Sequence, residues 1–228
     1  MSTIGIVPAR GGSKGLPGKH LLDLGGEPMI DRTLRAASES ERIDLCILTT
    51  DSTDICERAR HFKGVYGYMR SSELARDDTP TEDVMDDVIS FILSHNHPIE
   101  TIVLLQPTSP LRTGRHIDEA LAILEETRSD SLVAVVPSHA FLWRGDAPLY
   151  DPLARPRRQD MDGTYEECGA IYATSLRAWE RSRCRMSGKI ALYVMEQEHR
   201  VQVDEQVDLT YIDALLAQGV RWVLGVRR

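Results

Sequence analysis

Long apolar runs are missing from this chain of 228 residues. No stretch approaches the roughly 20 residues that a membrane helix requires, and no secretory leader is read ahead of the first apolar run. A cytoplasmic protein without a membrane partner is therefore expected. Basic charge is also scarce: 27 Lys and Arg stand against 35 Asp and Glu, a formal net charge of −8. A nucleic-acid-binding surface needs a basic excess, so nucleic acid is set aside as a partner. Cysteine is sparse and scattered. Cys46, Cys56, Cys168 and Cys184 have none of the paired spacings of a zinc site or a disulfide frame and read as reduced thiols. Internal repeats and low-complexity segments are absent as well.

What remains has the composition of an ordinary globular enzyme, 42% hydrophobic and 27% charged. The length suits one domain over residues 1–228. Short apolar runs alternate with amphipathic stretches. Ile4–Ala9, Leu45–Thr50, Thr101–Gln106 and Leu132–Val136 read as strands that are apolar on both faces, as in a parallel sheet covered by helices. Pro28–Ser40, Thr53–His61, Pro80–Leu93 and Gly114–Thr127 read as the helices between them. This order predicts a three-layer α/β sandwich with a mostly parallel central sheet, whose ligands bind beyond the carboxyl ends of the strands. The loops after Ala9, Thr50, Gln106 and Val136 are expected to share one rim. Thr79-Pro80-Thr81-Glu82 predicts a helix start with Thr79 as N-cap and Glu82 completing a capping box, followed by an apolar stripe of Val84, Val88 and Ile92.

The alternation breaks over residues 137–165, which hold Phe141, Trp143 and Tyr150 and read as an inserted arm making a subunit contact or a lid. Regular structure returns with strands over Gly169–Thr174 and Ile190–Met195. An edge strand follows over Val201–Asp204, then a last helix over Leu209–Ala217 that stops at Gly219.

Four loops could carry chemistry. The first runs from Pro8 to Lys19, Gly-rich and holding Arg10, Lys14 and Lys19 at intervals of four and five. Glycines let backbone N–H groups approach an anion, and the three cations can reach different phosphates of one nucleotide. It is no Walker loop, since Lys19 precedes His20 rather than Ser or Thr, and it lacks the dinucleotide fingerprint. The second, Gln106-Pro107-Thr108-Ser109-Pro110-Leu111-Arg112, offers the Gln106 amide as donor and acceptor at a strand end; taken alone it reads as a rigid turn. The third is Arg157-Arg158-Gln159-Asp160, able to clamp a carboxylate or phosphate, or simply to pair with Asp160 and Asp162. The fourth holds Asp204 and Asp208, hard oxygen ligands suited to magnesium shared with substrate phosphates. Asp208, beside the last helix, can equally cap it.

Together these residues resemble the acylneuraminate cytidylyltransferase family, the CMP-sialate synthetases and their relatives for other nonulosonic acids. The resemblance runs in order through Pro8–Lys19, Arg70–Ala75, Gln106–Arg112, Arg157–Asp160, Gly169–Tyr172, Gly188-Lys189 and Asp204. It implies a Rossmann-like fold of the nucleotide-diphospho-sugar transferase type. It implies a nucleotide site at Ala9, Arg10, Gly11, Lys14, Lys19, His20, Arg70, Thr79, Thr81 and Gln106, with the cations on the triphosphate of CTP. Gln106, Arg158 and Tyr172 fall on the side of a nine-carbon 2-keto sugar acid, and Arg10, Lys19 and Arg158 are the implied catalytic residues. Asp204, with Asp208, falls at a magnesium site, and the 137–165 arm at a homodimer contact. His20 and Cys168 stand where the family usually has Asn, Gln202 stands where it has an Asp, and Thr79 where Ser is common. Two other readings follow: a nucleotidyltransferase for another sugar or nucleotide, such as 3-deoxy-octulosonate, and a catalytically silent nucleotide-binding homologue. No residue is assigned as general base.

Overall fold

The structure is a computed structural model that describes residues 2–12, 15–161 and 163–217. Among the described residues, nine strands lie in chain order at β1 (Thr3–Pro8), β2 (Leu45–Thr50), β3 (Val65–Met69), β4 (Thr101–Leu104), β5 (Ser131–Pro137), β6 (Trp143–Arg144), β7 (Ala147–Pro148), β8 (Tyr165–Ser175) and β9 (Ile190–Val194). The α-helices are α1 (Met29–Glu39), α2 (Thr53–Arg58), α3 (Thr81–Ser94), α4 (Gly114–Glu126), α5 (Leu176–Ser182) and α6 (Gln206–Ala217). Seven strands form one sheet in the order β3-β2-β1-β4-β8-β5-β9, and β6 pairs with β7 in a separate hairpin. Only β8 runs antiparallel, between β4 and β5.

Period-two alternation sorts the strand residues between two helical layers. Ile4, Ile6, Ile102 and Leu104 pack with Val88, Ile89 and Ile92 of α3 and with Trp179 of α5. Val7, Leu48, Val103 and Leu132 pack on the opposite face with Ile30 and Leu34 of α1 and Ile117 and Leu121 of α4. Helix α4 opens on a reciprocal cap: the Thr113 hydroxyl accepts from the His116 N–H, and His116 Nδ1 accepts from the Thr113 N–H. A third apolar cluster joins Leu16, Leu24 and Met29 to Val203 and Ile212, so the Gly-rich loop leans on the segment leading into α6.

Most of the expected strands and helices are present; β8 begins at Tyr165 rather than Gly169, α5 and the β6–β7 hairpin are additional, and there are three further differences. Thr79 does not cap α3: Pro80 holds that position without a side-chain bond, the Thr79 hydroxyl donates to the Glu73 carbonyl, and Glu82 pairs bidentately with Arg185. Residues 201–203 form no strand, and α6 begins at Gln206, three residues earlier than expected. The sheet also gains β3, an exposed edge strand interrupted by Gly67. Lys14, Asp162 and the stop at Gly219 lie outside the described residues.

The sheet order places the site. From β1 the chain steps outward to β2 and β3, then returns to lay β4 on the other side of β1. The loops leaving β1 and β4 therefore diverge and open a crevice at their carboxyl ends, where open α/β sheets bind ligands.

Candidate active site

A cavity of about 270 Å³ occupies that crevice. Pro8 and Arg10 line it from the loop after β1, Lys19 and His20 from the short turn beyond, and Gln106, Pro107 and Thr108 from the loop after β4. Arg70 enters from the end of β3, Asp77 and Thr79 from the approach to α3, and Thr81 and Val84 from its first turns. The amino end of α3 thus faces the cavity and adds its partial positive charge.

The two flexible cations already have counter-ions. Arg10 pairs with Asp77, and Lys19 Nζ donates to Asp204 Oδ1 at 3.0 Å and to the Val203 carbonyl at 3.2 Å. The Gly11 N–H donates to Asp51 Oδ1 at 2.7 Å, which ties the loop to the end of β2. A Cβ on Gly15 would lie 2.7 Å from the Asp204 carbonyl oxygen, so only glycine lets the loop approach that closely.

Two side chains in the wall are different. Arg70 is buried, and its Nε and Nη1 have no hydrogen-bond partner among the described residues. Burial pulls its guanidinium below the usual range, against support from Asp51. His20 is also buried, with Nδ1 unpartnered. Burial first, then the charges of Lys19, Arg70 and Arg10, lowers its pKa to about 3, so the ring is neutral at physiological pH. Leaving a buried donor unsatisfied costs about 1–3 kcal/mol, more when it is charged. Around one cavity, such groups are free to take partners that a ligand would bring.

The candidates divide accordingly. Arg10, Lys19, His20, Arg70, Thr79, Thr81 and Gln106 share the cavity wall. Ala9 is buried beneath it, with its N–H on the Thr49 carbonyl. Arg158 is exposed on the arm and is not part of the wall. Tyr172 lies on β8 under α3 and α5, its hydroxyl donating to Glu167 at 2.9 Å. Burial, then Glu167, raises its phenol well above the ordinary value. Asp204 is exposed beside Lys19, whereas Asp208 caps α6, its Oδ2 accepting from the Asp204 and Glu205 N–H groups at 3.0 and 2.8 Å. Asp77 is a wall residue that no motif announced, and Thr108, inside the second loop, joins the wall without having been assigned a role. Gln202 is drawn in too: its amide oxygen accepts from the Thr108 hydroxyl at 3.3 Å. Elsewhere, all four cysteines are free thiols, and no described helix is long and apolar enough to cross a membrane.

The cytidylyltransferase family model matches residues 4–221. The N-acylneuraminate cytidylyltransferase of Oncorhynchus mykiss is 34% identical over 212 residues, 89% of this chain and 48% of that protein. The protein of the same name from Streptococcus agalactiae serotype V is 33% identical over 225 residues, 93% of this chain and 52% of its own length. The chain therefore spans about half the length of the curated relatives it matches. Among solved structures, CMP:2-keto-3-deoxy-manno-octonic acid synthetase complexed with CTP superposes with a TM-score of 0.70 at 21% identity, over 96% of this chain and 99% of that one. A 4-diphosphocytidyl-2C-methyl-D-erythritol synthase gives 0.68 at 13% identity, over 95% and 100%. Those two likenesses concern the fold, a mostly parallel α/β sheet. With the family match covering almost the whole chain and the cavity at the sheet's switch point, the chain belongs to the cytidylyltransferase family.

Proposed function

We propose that this chain transfers CMP from CTP to a nonulosonic 2-keto sugar acid, releasing pyrophosphate. The observation that carries the reading is the cavity wall, where the unpartnered nitrogens of Arg70 and His20 face the same space as Arg10 and Lys19. Neutral and cationic donors together suit a ligand with a polar base at one end and a polyphosphate at the other.

The anomeric hydroxyl oxygen of the sugar acid would form the new bond to the α-phosphorus as the α–β phosphoanhydride breaks. Such transfers depend on in-line positioning and charge neutralisation. Arg10 and Lys19 would exchange Asp77 and Asp204 for phosphate oxygens and stabilise the leaving pyrophosphate. Arg70, His20 and Gln106 would hold cytosine and ribose. Magnesium, when bound, would neutralise part of the triphosphate charge and help orient it. The chemistry of the donor set fits it: Asp204 offers an exposed carboxylate beside the phosphate-facing Lys19, while Asp208 is committed on one oxygen to backbone N–H groups.

The sugar acid falls to Gln106, Tyr172 and Arg158. Since Arg158 stands on the arm rather than in its own chain's cavity wall, a homodimer in which the arm reaches a second copy's site completes the arrangement. Exposed Leu142, Trp143, Leu149 and Leu153 on the arm, and Ile190, Leu192 and Val194 along β9, support such a contact. Light scattering is expected to give twice the chain mass; a monomer at assay concentration refutes the shared site. Thermal shifts with CTP, UTP, GTP and ATP test the nucleotide, with selective stabilisation by CTP expected. Mass spectrometry of products from mixed sialic, legionaminic, pseudaminic and 3-deoxy-octulosonic acids identifies the acceptor. A CMP adduct of octulosonate alone would replace the nonulosonic acid.

A further inference from the structure

Arg112 ends the Gln106–Arg112 loop and lies under the cavity without lining it. Its side chain is buried, and among the described residues its guanidinium meets neutral acceptors only, with Nε left without a partner. Nη1 donates to the Ala170 carbonyl at 2.5 Å and the Gln106 carbonyl at 3.2 Å, and Nη2 donates to the Thr33 hydroxyl at 2.6 Å. Burial brings its pKa down to about 10, which leaves it cationic at neutral pH. A buried charge without a counter-ion costs several kcal/mol, and an apolar side chain of similar volume often serves stability better. Stability alone therefore does not account for an arginine here.

Its three partners show what it does for the site. Gln106 is the residue that follows the end of β4 by two positions, Ala170 belongs to β8, and Thr33 to α1. Gly169, next to Ala170, has φ +69°, and a Cβ there would fall 2.7 Å from Gln106 Oε1 and 2.6 Å from Gln202 Oε1. The Gln106 amide thus rests on the backbone of Gly169, and Arg112 ties together the two main-chain segments that meet in this contact.

We propose that Arg112 is a positioning residue that fixes the Gln106 amide in the cavity wall by clamping the Gln106 and Ala170 carbonyls to α1. The proposal rests on the reading of the cavity as a CTP site with Gln106 facing the nucleotide. Misplacing such a group by about 1 Å costs on the order of 100-fold in rate. A group that acts only through Gln106 has nothing to act on once that amide is gone, so the two deficits should not multiply.

The test is a double-mutant cycle on kcat/KM for CTP, using pyrophosphate release by the full chain with a sugar acid it turns over. Arg112→Met is expected to lower kcat/KM on the order of 10- to 100-fold in the Gln106 background and less than about twofold in a Gln106→Ala background. Arg112→Lys, which keeps the charge but not the fork, should recover only part of the loss. Should Arg112→Met not fold, Thr33→Val removes one acceptor of the clamp, and the same cycle applies: a several-fold loss with Gln106 present and none with Gln106→Ala. Multiplying deficits in an active wild type overturn the Arg112 proposal alone, whereas a folded wild type that neither binds nor turns over CTP overturns the functional reading and this proposal with it.

Discussion

Acidification should destabilise this protein well above the range in which its carboxylates titrate, because two histidines are folded away in neutral form. His20 and His116 are buried, and each is lowered from 6.5 to about 3, by burial first and neighbouring positive groups next. Between those values the unfolded chain binds protons that the native state refuses, so stability falls as pH falls. The full contribution is present above pH 6.5 and is lost progressively down to about 3. At pH 5 the deficit is 1.5 pH units per group, or about 2 kcal/mol each and about 4 kcal/mol for the pair relative to pH 7.5. His199, also held below its ordinary value by burial, adds in the same direction. Glu82, held below the ordinary carboxylate range first by its bonds from Arg185, and Asp130, held below it first by the Lys189 N–H, lose their contributions only as the pH falls through that ordinary range and beyond. Against a total stability of about 5–15 kcal/mol, such a loss is readily measured. Urea unfolding at pH 7.5 and 5.0, followed by tryptophan fluorescence, reads it directly. His20→Asn keeps an amide in the wall but removes the titrating group, so its loss between the two pH values should shrink to about 2 kcal/mol. An identical loss in the variant and the wild type would refute the burial of His20 as a neutral ring.

Arg70→Ala should weaken CTP by about 1.5–3 kcal/mol, on the order of 10- to 100-fold in Kd by calorimetry. Because the native Arg70 carries unpartnered nitrogens, the same variant should be no less stable to urea; weaker folding with unchanged binding would reverse its assignment. Gly169→Ala forces a Cβ against the Gln106 and Gln202 amides at a backbone angle disfavoured for alanine, and kcat/KM for CTP should fall at least ~10-fold. Wild-type kinetics in that variant would show that the amides are not held there. Asp204→Asn releases Lys19 from its carboxylate, and the activity curve should move to higher magnesium concentration; an unmoved curve removes Asp204 from the metal site.

How much was legible in the sequence depended on where each residue's partners lie. β1, β2, β4 and β5 are buried on both faces, so their apolar runs announce them, and the sheet rim follows from their order. β3 sits at the edge, exposes Tyr66 and Met69 and contains Gly67, and it escaped notice. β8 begins at Tyr165 rather than Gly169, because its polar first residues pair with the end of β5 as the chain returns from the arm. The capping signal at Thr79 is sound locally, but the Glu73 carbonyl, six residues back, and Arg185, close only in the fold, take up its two side chains. The same limit hid Asp77, which meets Arg10 67 positions away, and hid what Arg112 does within its visible loop, since Ala170 and Thr33 lie 58 and 79 positions from it. Gln106 and the basic loop were visible because cations, glycines and an amide at strand ends announce themselves by residue type, and Arg10, Lys19 and Gln106 do line the cavity.

The central claim is that the crevice between β1 and β4 moves a cytidylyl group. Purified chain, CTP, magnesium and the four sugar acids in separate reactions, with pyrophosphate release as the readout, test it most directly. Release is expected only when CTP and a nonulosonic acid are both present, and it should fall at least ~100-fold in Arg10→Ala, a typical loss for one electrostatic stabiliser. Pyrophosphate release with none of the acids, or undiminished release in Arg10→Ala, would contradict it.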